Sequence, residues 1–235
     1  MPPERAGCRG LIASDASRVV PISRQRRYRG RMKLELDHLA VTATTLEEGC
    51  TMVEEALGLP LQPGGRHVRF GTHNMLLGLE DGLYLEVIAI DRDARAPDQP
   101  RWFDLDRRAG PPRLGNWICR CADLPAMLEE LPLAGSPVEL ERGDLKWRMA
   151  VPGDGRLPHD NMFPALMEWQ CPDHPARRLT QRGCRLETLV ISHPEAAALE
   201  AEIAPVLDDR RISFETAAPG LTAGFATPAG RKWLR

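Results

Sequence analysis

No stretch of this 235-residue chain approaches the roughly 20 consecutive apolar residues of a membrane-spanning helix, which excludes an integral helical membrane protein. Lysine is scarce: of 31 basic residues only Lys33, Lys146 and Lys232 are lysines. Together with the abundance of Arg, Ala, Gly and Pro, this reads as genomic composition and carries no functional signal. There is no excess of positive charge. The net charge is −2, and the first 31 residues hold eight arginines against two acids, Glu4 and Asp15. The rest of the chain is therefore mildly acidic, which gives no support to a nucleic-acid-binding face. None of the six cysteines forms a CxxC pair. A disulfide framework is not indicated, and reduced thiols point to the cytosol. The chain has no Walker loop, no GxSxG, no HExxH and no GxGxxG. What is present is an ordinary globular composition, 43% hydrophobic and 27% charged. The length suffices for one large domain or two small ones that bury a full core without disulfides or structural metal.

Residues 1–31 have neither helical nor strand period and lack the apolar core of a secretory signal. They read as a disordered tail or as residues ahead of a start at Met32. A transit peptide, or a basic arm for nucleic acid or membrane, is the alternative.

From Met32 onward the pattern is regular. Leu34, Leu36, His38 and Ala40 alternate with Glu35, Asp37, Leu39 and Val41, as in a strand with one polar residue, His38, on a definite face. Thr44-Thr45-Leu46-Glu47-Glu48 starts a helix, with threonine before early acids. That helix carries Leu46, Cys50, Val53 and Leu57 at helical spacing and stops at Gly58. Gln62 to Gly65 reads as a turn, with strands over 67–70 and 72–79. After Glu80-Asp81-Gly82 comes the apolar strand 83–90, interrupted by Glu86. Residues 32–91 thus form one β-α-β-β-β module. Residues 92–113 are a charged connection with a short helix around 102–107.

The same order recurs over 114–175. Strand 116–121 precedes a helix opened by Asp123-Leu124-Pro125; strands 138–142 and 145–151 follow, then an apolar strand 164–170 interrupted by Glu168. Counting back eight residues from Leu46 and from Leu124 lands on His38 and Asn116, and Leu85-Glu86 corresponds to Met167-Glu168. Residues 176–235 start the pattern a third time, with strand 185–191, helix 194–207 and strands 211–216 and 221–227. The predicted fold is α+β: tandem βαβββ modules forming one curved sheet around a cleft, with an extra C-terminal βαββ half-module.

In such an architecture the first and last strands of each module lie side by side, and His38, Glu86, Asn116 and Glu168 are expected to converge. Glu86 and Glu168 each interrupt an otherwise apolar strand. Burying an unpaired carboxylate costs on the order of several kcal/mol, so a metal, a cation or a neighbour such as His38 must satisfy each one. One His, two Glu and an oxygen from Asn or water suit a divalent metal such as Zn, Mn, Fe or Ni. A metal-free cleft, with the glutamates bonded locally, is the other reading. Candidate substrate contacts in the first module are His67 and Asn74; Asn74 shares a strand face with Thr72, and His73 takes the other. In the second they are Trp117, Trp147 and Arg148, the last as an anion anchor. Both tryptophans are equally readable as core.

Several runs carry a family resemblance: Leu36-Asp37-His38-Leu39-Ala40-Val41, Gly58-Leu59, Gly64-Gly65-Arg66-His67, Phe70-Gly71-Thr72-His73-Asn74 and Tyr84-Leu85-Glu86. They resemble the glyoxalase-like domain proteins of the vicinal oxygen chelate superfamily. The second half matches more loosely, through Trp147, Pro164 and Leu166-Met167-Glu168-Trp169. The resemblance implies paired βαβββ modules around a U-shaped cleft. It also implies a metal held by a His or Gln from the first strand and a Glu from the fourth strand of each module. By that pattern His38, Glu86 and Glu168 match and Asn116 departs, which lowers iron dioxygenase chemistry.

The expectation is a cytoplasmic small-molecule enzyme of lyase or isomerase type. Glu86 or Glu168 would exchange a proton with the substrate, Glu168 being slightly the better base because its partner Asn116 is neutral. If a metal binds, it would polarise a carbonyl, an enolate or a vicinal oxygen pair. The alternative is a metal-free protein that sequesters a small molecule, as in bleomycin resistance. No nucleic acid or membrane partner is expected, and a homodimer is an open option.

Overall fold

The computed structural model describes residues 33–235, so the reading of residues 1–31 falls outside the described residues. Strand β1 (Glu35–Thr42) is followed by helix α1 (Leu46–Leu57), β2 (Gln62–His67), β3 (Thr72–Gly78) and β4 (Tyr84–Ile90). The order repeats as β5 (Arg113–Arg120), α2 (Leu124–Glu130), β6 (Ser136–Arg142), β7 (Leu145–Val151) and β8 (Ala165–Trp169). All eight strands join one sheet, ordered β2-β3-β4-β1-β5-β8-β7-β6. At its centre β1 and β5 run antiparallel, and each runs parallel to the last strand of its own module. The sheet curls strongly into a half-barrel, as the tandem repeat implied.

Local chemistry sets the helix ends. Thr45 caps α1 by accepting from the Glu48 N–H at 3.2 Å, acidic Glu47 and Glu48 sit in the first turn, and Gly58 closes the helix at φ 70°. Asp123 caps α2 by accepting from the Ala126 N–H at 3.0 Å. Helix α1 buries Gly49, Val53 and Leu57 against the sheet. At Gly49 the approach is so close that an added Cβ would stand 2.5 Å from a Val87 methyl.

The expected turn at Gln62–Gly65 is instead part of β2, where the register slips between Pro63 and Arg66. The chain reverses later, between His67 and Thr72, where Gly71 takes φ 56°. The two glycines serve close packing: a Cβ on Gly64 would overlap the Asn74 amide, and one on Gly65 would lie 2.6 Å from Cδ of Arg142.

The connection carries a short 3-10 segment, Trp102–Arg107, in which Phe103 and Asp104 adopt φ values of 58° and 55°. The C-terminal part adds β9 (Arg185–Ser192), α3 (Ala196–Ile203), β10 (Ile212–Glu215), β11 (Gly220–Thr227) and β12 (Gly230–Leu234). They form a second sheet ordered β10-β9-β11-β12, in which β12 is one strand more than the sequence pattern showed. This sheet packs against the centre of the first. The Trp117 ring meets Phe214 at 6.4 Å, and the Leu34 N–H bonds to the Val206 carbonyl at 2.8 Å. No helix among the described residues is long and apolar enough to cross a membrane.

Candidate functional site

The site begins with a fault in strand pairing. The register of β1 against β5 slips between Leu36 and His38, leaving Asp37 as the extra residue of a β-bulge. Strict alternation fails there, and Asp37 and His38 lie side by side with His38 Nδ1 2.7 Å from Asp37 Oδ1. The second Asp37 oxygen accepts from Trp169 Nε1 at 3.0 Å and from His174 Nε2 at 2.8 Å, with Arg120 at 3.5 Å. Burial alone would raise the Asp37 carboxyl, but hydrogen bonds from His174 and His38 outweigh it and hold it well below the usual carboxylate range. An ionised Asp37 holds a proton on His38 Nδ1, which leaves Nε2 as the nitrogen turned to Glu86 and the cleft.

Strand β4 places Tyr84 opposite His38 and Glu86 opposite Ala40. The His38 ring stacks on Tyr84 at 4.3 Å, and its Nε2 stands 3.7 Å from Glu86 Oε2. Both side chains are buried, about 6% and 5% exposed. Asn74 on β3 donates through Nδ2 to Glu86 Oε1 at 2.5 Å; its Oδ1 accepts from the Gly65 N–H at 2.7 Å. The same Oδ1 accepts from Nη1 of Arg142, from the end of β6, at 3.3 Å. His67 bonds to Thr72 at 3.0 Å through Nδ1 and faces Arg142 at 3.4 Å through Nε2. These groups and the rings of Tyr84, Trp102, Phe103, Trp147 and Trp169 line a cavity of about 40 Å³. That is room for roughly three waters.

Residues 36–207 match the sequence profile of a family described as the glyoxalase-like domain. The chain belongs to this glyoxalase-like family. No curated protein sequence matches it. Among solved structures it is similar to a hypothetical protein from Staphylococcus aureus, at 14% identity and a TM-score of 0.59, with 80% of this chain and 88% of that chain covered. A methylmalonyl-CoA epimerase from Mycobacterium tuberculosis aligns at 18% identity and a TM-score of 0.39, with 60% and 91% covered.

The glyoxalase-like cleft brings together His38, Glu86, His67, Asn74 and Trp147, but not the other expected residues. Glu168 lies on the opposite face of β8, where Oε2 accepts from the Leu124 N–H at 2.9 Å and faces Arg148 at 3.7 Å. Arg148 lies on that outer face too, paired with Glu139 at 2.5 Å. Met167 and Trp169 are the residues that β8 turns inward. Register explains the difference. Ala40 pairs with Glu86 and Ile118 pairs with Ala165, so Ala165, not Glu168, holds the position of Glu86 in the second module. Asn116 is buried opposite Ala40 but does not line the cavity, and its Nδ2 has no hydrogen-bond partner among the described residues. Trp117 is core, fully buried with Nε1 donating to the Met162 carbonyl at 2.8 Å.

Sequence reading missed Asp37, His174, Trp169 and Arg142. Only Asp37 left a signal, its adjacency to His38. The other three enter the site through long-range pairing.

The expected metal set does not fit this cleft. The first module supplies His38 Nε2 and Glu86 Oε2, while the second contributes Trp147, Met149, Met167, Trp169 and the cationic Arg142. Among the described residues no third His, Cys, Asp or Glu atom completes a cluster with that pair. A His-His-Glu group occurs elsewhere, where His159, His193 and Glu195 bring one ligand atom each within 4.8 Å of the others. There His193 Nδ1 already accepts from the Glu195 N–H at 3.0 Å, and Nε2 faces Asp160 at 3.3 Å. This leaves the Nε2 proton on the ring, where a metal would have to displace it.

Burial, with Arg142 adding to it, pushes His67 down to about 3, so the ring is neutral in the fold. An unfolded His protonates near 6.5. The unfolded chain therefore binds more protons between these values, and stability is expected to fall as pH drops below 6.5. The loss attributable to His67 at pH 4.5 is roughly 2–3 kcal/mol. Urea unfolding of the protein and of His67→Gln between pH 7 and 4.5 checks this. The variant's curve should be flatter over that range, and parallel curves would refute the assignment.

Proposed function

We propose that the cleft is the active site of an enzyme that transfers a proton at the carbon beside the carbonyl of a small molecule, in isomerase or lyase chemistry, without a metal. The observation that carries this reading is the buried His38 Nε2–Glu86 Oε2 pair at 3.7 Å, with Asp37 fixing the histidine tautomer. Two basic atoms face each other there, and the pair is satisfied by one shared proton. With that proton on His38, Glu86 takes a proton from the substrate carbon. The electron pair moves onto the carbonyl oxygen, and His38 donates its Nε2 proton to that oxygen. Return of a proton to the same carbon or its neighbour completes an isomerisation with atoms and charge conserved. The aromatic walls, Trp102, Phe103, Trp147 and Trp169, favour a second reading, metal-free sequestration of a small ligand.

The test is deuterium exchange in D2O, followed by proton NMR on a panel of small aldehydes, ketones and 2-oxo acids. Catalysed exchange that survives chelator treatment and is lost in Glu86→Gln is expected. Saturable binding without exchange would favour sequestration, and exchange abolished by chelation would overturn the metal-free mechanism.

A further inference from the structure

Among the described residues Arg142 is a cation with no acid to balance it. Its only hydrogen bonds among the described residues go to neutral groups, the Asn74 amide oxygen and His67 Nε2. No carboxylate of the described residues lies within ion-pair distance. Of the other half-buried arginines, Arg101, Arg120, Arg148 and Arg211 are paired with Asp106, Glu35, Glu139 and Asp209, and Arg108, away from the cavity, spends its donors on the Thr44 hydroxyl and the Gly110 and Pro111 carbonyls. Half-buried and lining the cavity, Arg142 has no partner for its Nε and Nη2 donors among the described residues, which leaves them to a ligand. The backbone is shaped to admit it, since Gly65 leaves the space through which its side chain crosses β2. His67, held neutral, adds no competing positive charge.

We infer that the substrate enters as an anion, and that Arg142 receives its carboxylate. This rests on the proton-transfer reading of the cleft and specifies it. The Asn74 amide spans Glu86 and Arg142, accepting from the guanidinium on one side and donating to the carboxylate on the other. Arg142 and Glu86 are thus separated by one amide group and two hydrogen bonds, a gap for a short oxo acid with its carboxylate on Arg142 and its reactive carbon at Glu86. A guanidinium fork receives a planar carboxylate through two parallel N–H donors, which fixes orientation as well as charge.

Trp102, Trp147 and Trp169 line the cavity, so quenching of their fluorescence reports occupancy. The probes are 2-oxobutanoate and its uncharged primary amide at matched ionic strength. The acid is expected to bind at least about tenfold more tightly than the amide, and that preference should vanish in Arg142→Gln. Arg142→Lys should keep part of it, which separates loss of charge from loss of fold. Equal binding of acid and amide, acid binding undiminished in Arg142→Gln, or no binding of the acid overturns the inference. The two readings fail differently. Acid binding without exchange at C3 removes proton transfer and leaves the anion site. Equal exchange on acid and amide removes the anion site and leaves proton transfer.

Discussion

Asp37→Asn is expected to slow proton exchange by roughly 10²–10⁴-fold, because an amide in place of the carboxylate no longer dictates which nitrogen of His38 carries the proton. Asp37 accepts from His38, His174 and Trp169 at 2.7–3.0 Å. An asparagine can offer only its oxygen to this crowd of donors and turns an N–H toward the rest. Removing one member of a buried charged network typically costs about 3–5 kcal/mol, so the variant should also unfold at lower urea. The pH dependence follows from the depressed Asp37 value. A carboxyl lowered in the fold stabilises above its unfolded value of 3.8, and that contribution is lost only as pH falls below it. The stability gap between protein and variant should therefore be constant from pH 7 to about 4 and narrow below. Unimpaired exchange in a folded variant would show that Asp37 does not orient His38.

Glu86→Gln and Glu168→Gln are expected to separate function from stability. Losing the carboxylate of Glu86 removes the base, and exchange should fall by about 10²–10⁴-fold. Stability should hold, because the glutamine amide oxygen can still accept from Asn74 and a buried charge is gone. Glu168→Gln should leave exchange unchanged and cost about 0.5–2 kcal/mol, since Glu168 receives the first N–H of α2 and faces Arg148. Single-turnover exchange and thermal melting of both variants decide this. Equal losses of exchange would mean that both glutamates reach the substrate, against the placement of Glu168 on the outer face of β8.

The repeat was legible because its cues are local. Thr45 and Asp123 as caps, Gly58 as a helix stop and apolar runs of strand length need no tertiary knowledge. Glu86 stood out as a lone carboxylate in an apolar strand, and the cleft places it against His38 and Asn74. By the same argument Glu168 looked equivalent. The apolar pattern around Met167 cannot distinguish an inward strand position from an outward one when both faces of β8 are covered. A one-residue difference in alignment then moves a side chain to the opposite face.

The sequence by itself determined the βαβββ repeat, the ends of α1 and the start of α2, His38 and Glu86 on adjacent strands, and the choice of Asn74 over His73 as an inward residue, while the third helix is shorter, Ala196–Ile203, than the 194–207 its pattern suggested. These follow from periodicity and from the cost of burying charge, both of which act within a few residues. Only the tertiary structure decided that a bulge brings Asp37 beside His38 and that β8 turns Glu168 outward. It also brought Arg142 from the end of β6 in the second module across the glycines of the first, and His174 back onto Asp37. Each of these depends on hydrogen-bond register between strands far apart in the chain, a quantity that alternation of side chains leaves undetermined.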